Sequence, residues 1–169
     1  MSRRGRVGEQ TIEMTKTVAL DTCRSSQIEI CYEMSELPVG EEIQFAVELN
    51  FASMAAGQPD RYFYDSEGQQ LGPLETIQQL PTGNRIGLVD EWLGIDVGIE
   101  LSEAAEFWTF PIQTVSQSEG GFELVHQSSV VVPWWRFMVD DSQKWSCTFS
   151  VNIDTSAASA RQLTSIAMR

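Results

Sequence analysis

Hydrophobic and polar positions alternate with a period of two along most of this chain, and no stretch keeps the 3.6-residue rhythm of an amphipathic helix. The clearest case is EIQFAVELNF at 42–51. Ile43, Phe45, Val47, Leu49 and Phe51 share one face of a strand, and Glu42, Gln44, Glu48 and Asn50 share the other. QIEICYEM at 27–34 repeats the pattern with Ile28, Ile30, Tyr32 and Met34. β-Branched and aromatic enrichment predicts further strands at 11–20, 85–92, 95–102, 106–112, 122–132, 135–139 and 144–153. Turn formers separate them: PVGEE, DSEGQQLGP, PTGN, EGG and VDDSQ. Many short strands at this spacing predict an all-β fold, an antiparallel β-sandwich.

The pattern fails in three places. Residues 54–84 hold most of the turn formers and are expected to form a long excursion off one sheet edge, with a short helical turn at ETIQQL (75–80). Residues 1–10, with arginines at 3, 4 and 6, are expected to be a disordered basic tip. Residues 154–169 are small and polar and are expected to fray. No internal repeat or linker divides the remainder, so 11–153 is predicted to be a single domain.

Composition changes the picture mainly by exclusion. The formal net charge of −13 repels phosphate backbones and anionic bilayers, so neither nucleic acid nor a membrane is an expected partner. Glu9, Glu13 and Lys16 interrupt the stretch after the arginines, so no apolar signal-peptide core forms there, and a soluble cytoplasmic protein is expected. Cys23, Cys31 and Cys147 have neither CxxC spacing nor an even count and read as free thiols. No metal site and no cofactor are predicted.

Candidate chemistry is sparse. His126 is the single histidine, and neither GxSxG nor a P-loop is present. The acid pairs Asp90/Glu91, Glu119/Glu123 and Asp140/Asp141 read as surface charges in so acidic a chain. On one strand Glu123 and His126 project to opposite faces unless a bulge intervenes, so they make a poor acid–base pair, and His126 is expected to be hydrogen-bonded structurally. Of the five tryptophans, Trp134 and Trp135 are neighbours, so in a strand one must face outward as a possible sugar-stacking platform. Pro133 suggests an edge or a strand start. Gly120 and Gly121 supply a tight turn, which makes QTVSQSEGGFELVHQ (113–127) a hairpin.

The stretch FWTFPIQTVSQSEGGFELVHQSSVVVPWW resembles the C-terminal β-sandwich of family 57 glycoside hydrolases, the α-amylase and 4-α-glucanotransferase group. Those proteins carry a similar W-x-F-P-[IV]-x-T-V-S-Q-S-E-G-G-F-E-x-V-[YH]-Q segment. ICYEM, FAVELNFASM and GLVDEWLGIDVGIEL precede it in the family's order, so the resemblance covers roughly 15–153. It implies a sandwich similar to galactose mutarotase, of which only the later portion is present. It also implies that the catalytic carboxylates belong to an N-terminal barrel with no counterpart here, so no catalytic residue is assigned.

Four readings follow from the resemblance. The chain is a non-catalytic domain docking on a separate or lost catalytic barrel, or an α-glucan-binding module using Trp134, Trp135, Gln117, Glu119 and Gln127. Alternatively it is a mutarotase-like epimerase or a truncated reading frame without activity. The first is the expectation carried forward.

Overall fold

The computed structural model describes residues 1–20, 26–52, 56–118 and 120–158. Strands β1 (Ser2–Val7), β2 (Gln10–Leu20), β3 (Gln27–Ser35), β11 (Trp145–Asp154), β9 (Ile95–Ser118), β8 (Gln78–Asp90), β6 (Arg61–Tyr64) and β7 (Gln70–Pro73) hydrogen-bond in that order. A further strand, β10 (Gly121–Met138), pairs with the C-terminal half of β9 on one edge, and with β4 (Glu42–Ala46) and β5 (Leu49–Ala52) on the other. Every one of these pairings is antiparallel. Among the described residues no helix is long and apolar enough to cross a membrane, which says nothing about a β-barrel.

Two long strands turn one hydrogen-bonded sheet into two layers. The N-terminal part of β9 lies between β11 and β8, whereas its C-terminal part lies against β10. Register shifts around Gly83, opposite Ala105, bend β8 and β9 at the crossing. Aromatic contacts then close the layers face to face. Tyr32 meets Phe45 at 5.5 Å and Trp135 meets Phe149 at 5.6 Å across the layers, while within one layer Phe45 stacks on its cross-strand neighbour Trp135 at 5.8 Å between centroids. Phe63, Phe107, Phe149, Ile86, Leu88, Ile99 and Val131 fill the rest of this core.

The predicted strands are present, several of them joined. The stretches expected at 95–102 and 106–112 are parts of β9, and those at 122–132 and 135–139 are parts of β10. The 42–51 stretch instead breaks into β4 and β5, although Ile43, Phe45, Leu49 and Phe51 keep their common face by pairing Phe137, Trp135, Val131 and Ser129. The break lies opposite Pro133, which has no N–H to donate, while its carbonyl accepts from Val47 N at 3.2 Å. Pro133 is therefore neither an edge nor a strand start but a buried position inside β10.

Two expectations of irregularity are corrected. The basic tip is β1, paired with β2 from Ser2↔Thr15 to Val7↔Gln10 across a turn with Gly8 at φ 57°. One carboxylate of β2 holds it: Arg4 Nη2 lies 3.8 Å from Glu13, and Ser2 Oγ donates to Glu13 Oε1 at 2.6 Å. The 54–84 excursion contains the β6–β7 hairpin and the start of β8. In place of a helical turn at 75–80, Thr76 N bonds to Pro73 O at 2.9 Å and the chain enters β8 at Gln78. Leu74 and Phe63 are fully buried, which holds this segment onto the sandwich. The expected frayed tail lies outside the described residues beyond 158, and Cys23 lies outside them as well.

Candidate interaction surface on the long hairpin

The β9–β10 hairpin carries every described sequence-predicted site residue, so its two faces decide what those residues can do. Register assigns Phe107, Thr109, Val131 and Trp135 to the inner face, toward the other sheet. The outer face receives Trp108, Phe110, Ile112, Val130, Val132 and Trp134. Thr109 Oγ1 donates to Thr76 O at 2.9 Å and Ser129 Oγ to Leu74 O at 2.9 Å, so the β7–β8 turn lies across the inner face there. Past that turn the two strands continue as a ribbon bonded to each other, to Gly121↔Ser118 at the tip.

On this ribbon the apolar side chains are exposed. Val115 pairs with Leu124 on the inner side at 67% and 66% exposure, and Phe122, opposite Gln117, is 78% exposed. Ile112 and Val125 are partly exposed on the outer side. They lie on the same side as Trp108, Trp134 and Phe110. Monomeric globular surfaces rarely keep so continuous an apolar area unless something covers it.

Only part of the predicted sugar constellation comes together. Trp135 is 4% exposed, its Nε1 donating to Glu103 O at 3.0 Å, and it packs between Phe45, Trp145 and Phe149 in the core. As a sugar platform it is therefore corrected, because no ring face is available. Trp134 is the outward member of the pair. It lies against Trp108 with centroids 5.6 Å apart, and the Arg136 guanidinium sits 5.1 Å over its ring.

Gln117 is exposed near the tip, on the side opposite to Trp134 and twelve residues of β10 away through its partner Phe122, on the order of 40 Å at strand rise. Gln127 sits at the register shift between His126 and Ser128, where its Nε2 donates to Thr114 Oγ1 at 3.0 Å. Glu119 lies outside the described residues. The four described residues do not converge on one sugar. Sequence reasoning missed Trp108 as the companion of Trp134, since only register shows that they are cross-strand neighbours. It also missed the exposure of Val115, Phe122 and Leu124, which read as ordinary strand alternation.

The remaining titratable groups hold structure. Glu123 pairs Ser116 and His126 pairs Gln113, so the two face opposite sides as predicted, and His126 Nε2 lies 3.3 Å from Ser129 Oγ. Asp90 is not the surface charge it was expected to be. It is 1% exposed, its Oδ2 accepts from Arg61 Nε at 3.2 Å, and its Oδ1 caps Leu93 N at 2.8 Å. A cleft of about 430 Å³ beside it is lined by Tyr62, Glu91, Asp96 and Asp154. Tyr62 Oη donates to Glu91 at 3.1 Å and Tyr64 Oη to Asp96 at 2.7 Å. Burial first, then the Asp96 carboxylate, pushes the Tyr64 phenol above its ordinary range. Burial likewise pushes the Cys147 thiol up to about 12, which keeps it a neutral core group. Among the described residues no three His, Cys, Asp or Glu side chains are grouped to hold a metal ion.

A two-layer antiparallel sandwich with an apolar ribbon reaching out of it defines an all-β sandwich domain. The chain belongs to the family described as alpha-amylase/4-alpha-glucanotransferase, C-terminal, whose model matches residues 1–149. It is 30% identical over 131 residues to Alpha-amylase 1 of Dictyoglomus thermophilum, a match covering 73% of this chain and 18% of that protein. Its fold is similar to that of the 4-alpha-glucanotransferase from Thermococcus litoralis, with a TM-score of 0.66 and 21% identity, over 89% of this chain and 20% of that one. The chain thus spans about a fifth of the length of the proteins it matches.

Proposed function

We propose that this chain is a non-catalytic β-sandwich domain that docks on a separately folded catalytic barrel of the family 57 α-amylase and 4-α-glucanotransferase type, and serves cytoplasmic α-glucan metabolism through it. The observation that carries this reading is the match of 1–149 to a C-terminal segment, joined to relatives of which the chain spans only about a fifth. A surface built for docking supports it, because the apolar outer face of β9–β10 continues onto the ribbon. The test is co-expression of the 169-residue chain with a family 57-type barrel polypeptide from its own organism, followed by size-exclusion chromatography. A stoichiometric complex is expected; a chain that elutes by itself beside a folded barrel overturns docking.

A second reading is favoured by one observation, the partly exposed Trp134 lying against the exposed Trp108. Aromatic faces in a flat sheet can stack pyranose rings, and the neighbouring Gln79–Glu106 hydrogen bond at 2.8 Å offers polar groups beside them. In this reading the outer face binds α-glucan directly. Native electrophoresis through gels containing glycogen distinguishes it: the chain is retarded, and Trp134→Ala restores free mobility. Equal mobility of both proteins with and without glycogen removes direct glucan binding.

A further inference from the structure

We infer that the ribbon from Ile112 to Gln127 is an arm clasped on both faces by the catalytic body, an inference that rests on the docking reading and names the element that performs it. A two-stranded hairpin is marginal in water, and here it extends past the turn that supports its base at Thr109 and Ser129. A solvated ribbon needs no apolar face, and one lying flat on a neighbour needs one. This ribbon presents apolar groups on two: Val115, Phe122 and Leu124 on the inner side, and Ile112 and Val125, beside Thr114, Ser116 and Glu123, on the outer side. Two apolar faces require cover from two sides, which is insertion into a groove and not contact with a flat wall.

The surroundings fit the same occupant. The outer side leads through Phe110, past the buried Val130 and Val132, to Trp108 and Trp134, so one partner can cover the arm and the adjacent aromatic pair together. From Pro111 to Ser118 the arm reaches roughly 20 Å at strand rise, enough to pass well into a neighbouring domain. The proteins that this chain matches carry about four-fifths of their length outside the matched segment, and that remainder is the body within reach of such an arm.

The experiment uses the full chain, the barrel polypeptide from the same organism, and two double variants, Val115→Ser/Leu124→Ser for the inner side and Ile112→Thr/Val125→Thr for the outer. Near-UV circular dichroism from the core aromatics verifies that each variant is folded. Each double variant is expected to raise the Kd for the barrel at least tenfold. Wild-type affinity in both overturns the arm while leaving docking intact, and loss in only one shows contact on a single face, which overturns clasping. A wild-type chain that never binds the barrel defeats the docking reading and the arm with it. Concentration-dependent dimers of the chain alone, abolished by the same variants, assign the arm to a second copy and overturn the inference.

Discussion

The same pair of strands meets two environments. Between Phe107 and Phe110 the β9–β10 hairpin is the middle of a sandwich, with Phe107 and Val131 turned into the core and Thr109 and Ser129 bonded to the β7–β8 turn. Between Gln113 and Gln127 the identical pairing runs on, yet Val115, Phe122 and Leu124 are two-thirds or more exposed. Alternation and the pairing of β9 with β10 are common to both regions, apart from the register shift between His126 and Ser128. What differs is that in the body β8, β4 and β5 flank the pair and a second layer lies opposite. In the body that layer is Tyr32, Phe149 and the rest of the first sheet; at the ribbon the chain supplies none among its described residues. Period two therefore specifies a strand, and the missing layer is the part that points to a partner.

The largest effect that sharpens this contrast is expected from Trp135→Ala. The side chain sits between Phe45, Trp145 and Phe149, and its removal leaves a cavity that the flanking sheets cannot close. A loss of about 3–5 kcal/mol is expected. For a domain of this size that lowers Tm by roughly 10 °C in a thermal melt. A drop of only a degree or two would mean that the two layers are not packed as described.

Gly87→Ala should come next. Gly87 pairs with Tyr64 on the outer face of the first sheet, and the tyrosine ring lies where a Cβ would go, with its nearest ring atom at 2.0 Å. An added methyl must displace the ring and disturb its 2.7 Å hydrogen bond to Asp96. A cost of about 1–3 kcal/mol follows. Pairing the change with Tyr64→Ala, which empties the space, should recover most of the cost added by the methyl. Equal destabilisation by the methyl in both backgrounds would separate the glycine from the ring.

Much of the fold was legible because buried strands announce themselves by alternation. Ile43, Phe45, Leu49 and Phe51 were placed on one face, and the structure keeps them there. The hairpin at 113–127 was legible from its two glycines. β1 was not, because RRGRV has no apolar alternation and its place is set by backbone pairing with β2 and the single Arg4–Glu13 ion pair. The β6–β7 segment was hidden for a related reason. Its anchors Phe63 and Leu74 stand singly among turn formers, and their burial depends on the opposite layer. The candidate surface was half legible. Adjacency dictates that one of Trp134 and Trp135 points out, but which one depends on the phase of β10 against β9. Asp90 was misjudged because nothing local marks its distant partner Arg61.

The smallest expected effect breaks or sustains the comparison most directly. Val115→Ser/Leu124→Ser removes two apolar side chains from a strand pair, a change that in the body would be severe. On the ribbon these groups already face water, so the isolated chain should lose less than about 0.5 kcal/mol, within roughly 2 °C of the wild-type Tm. Native-state hydrogen exchange refines the point. Amides of 113–127 should exchange through local openings of low free energy, while those of 129–135 should need openings close to global unfolding. A ribbon as protected as the body in the isolated chain would mean that its apolar faces are already covered by the protein itself or by another copy. Protection gained only on adding the barrel polypeptide is the outcome the exposed faces require.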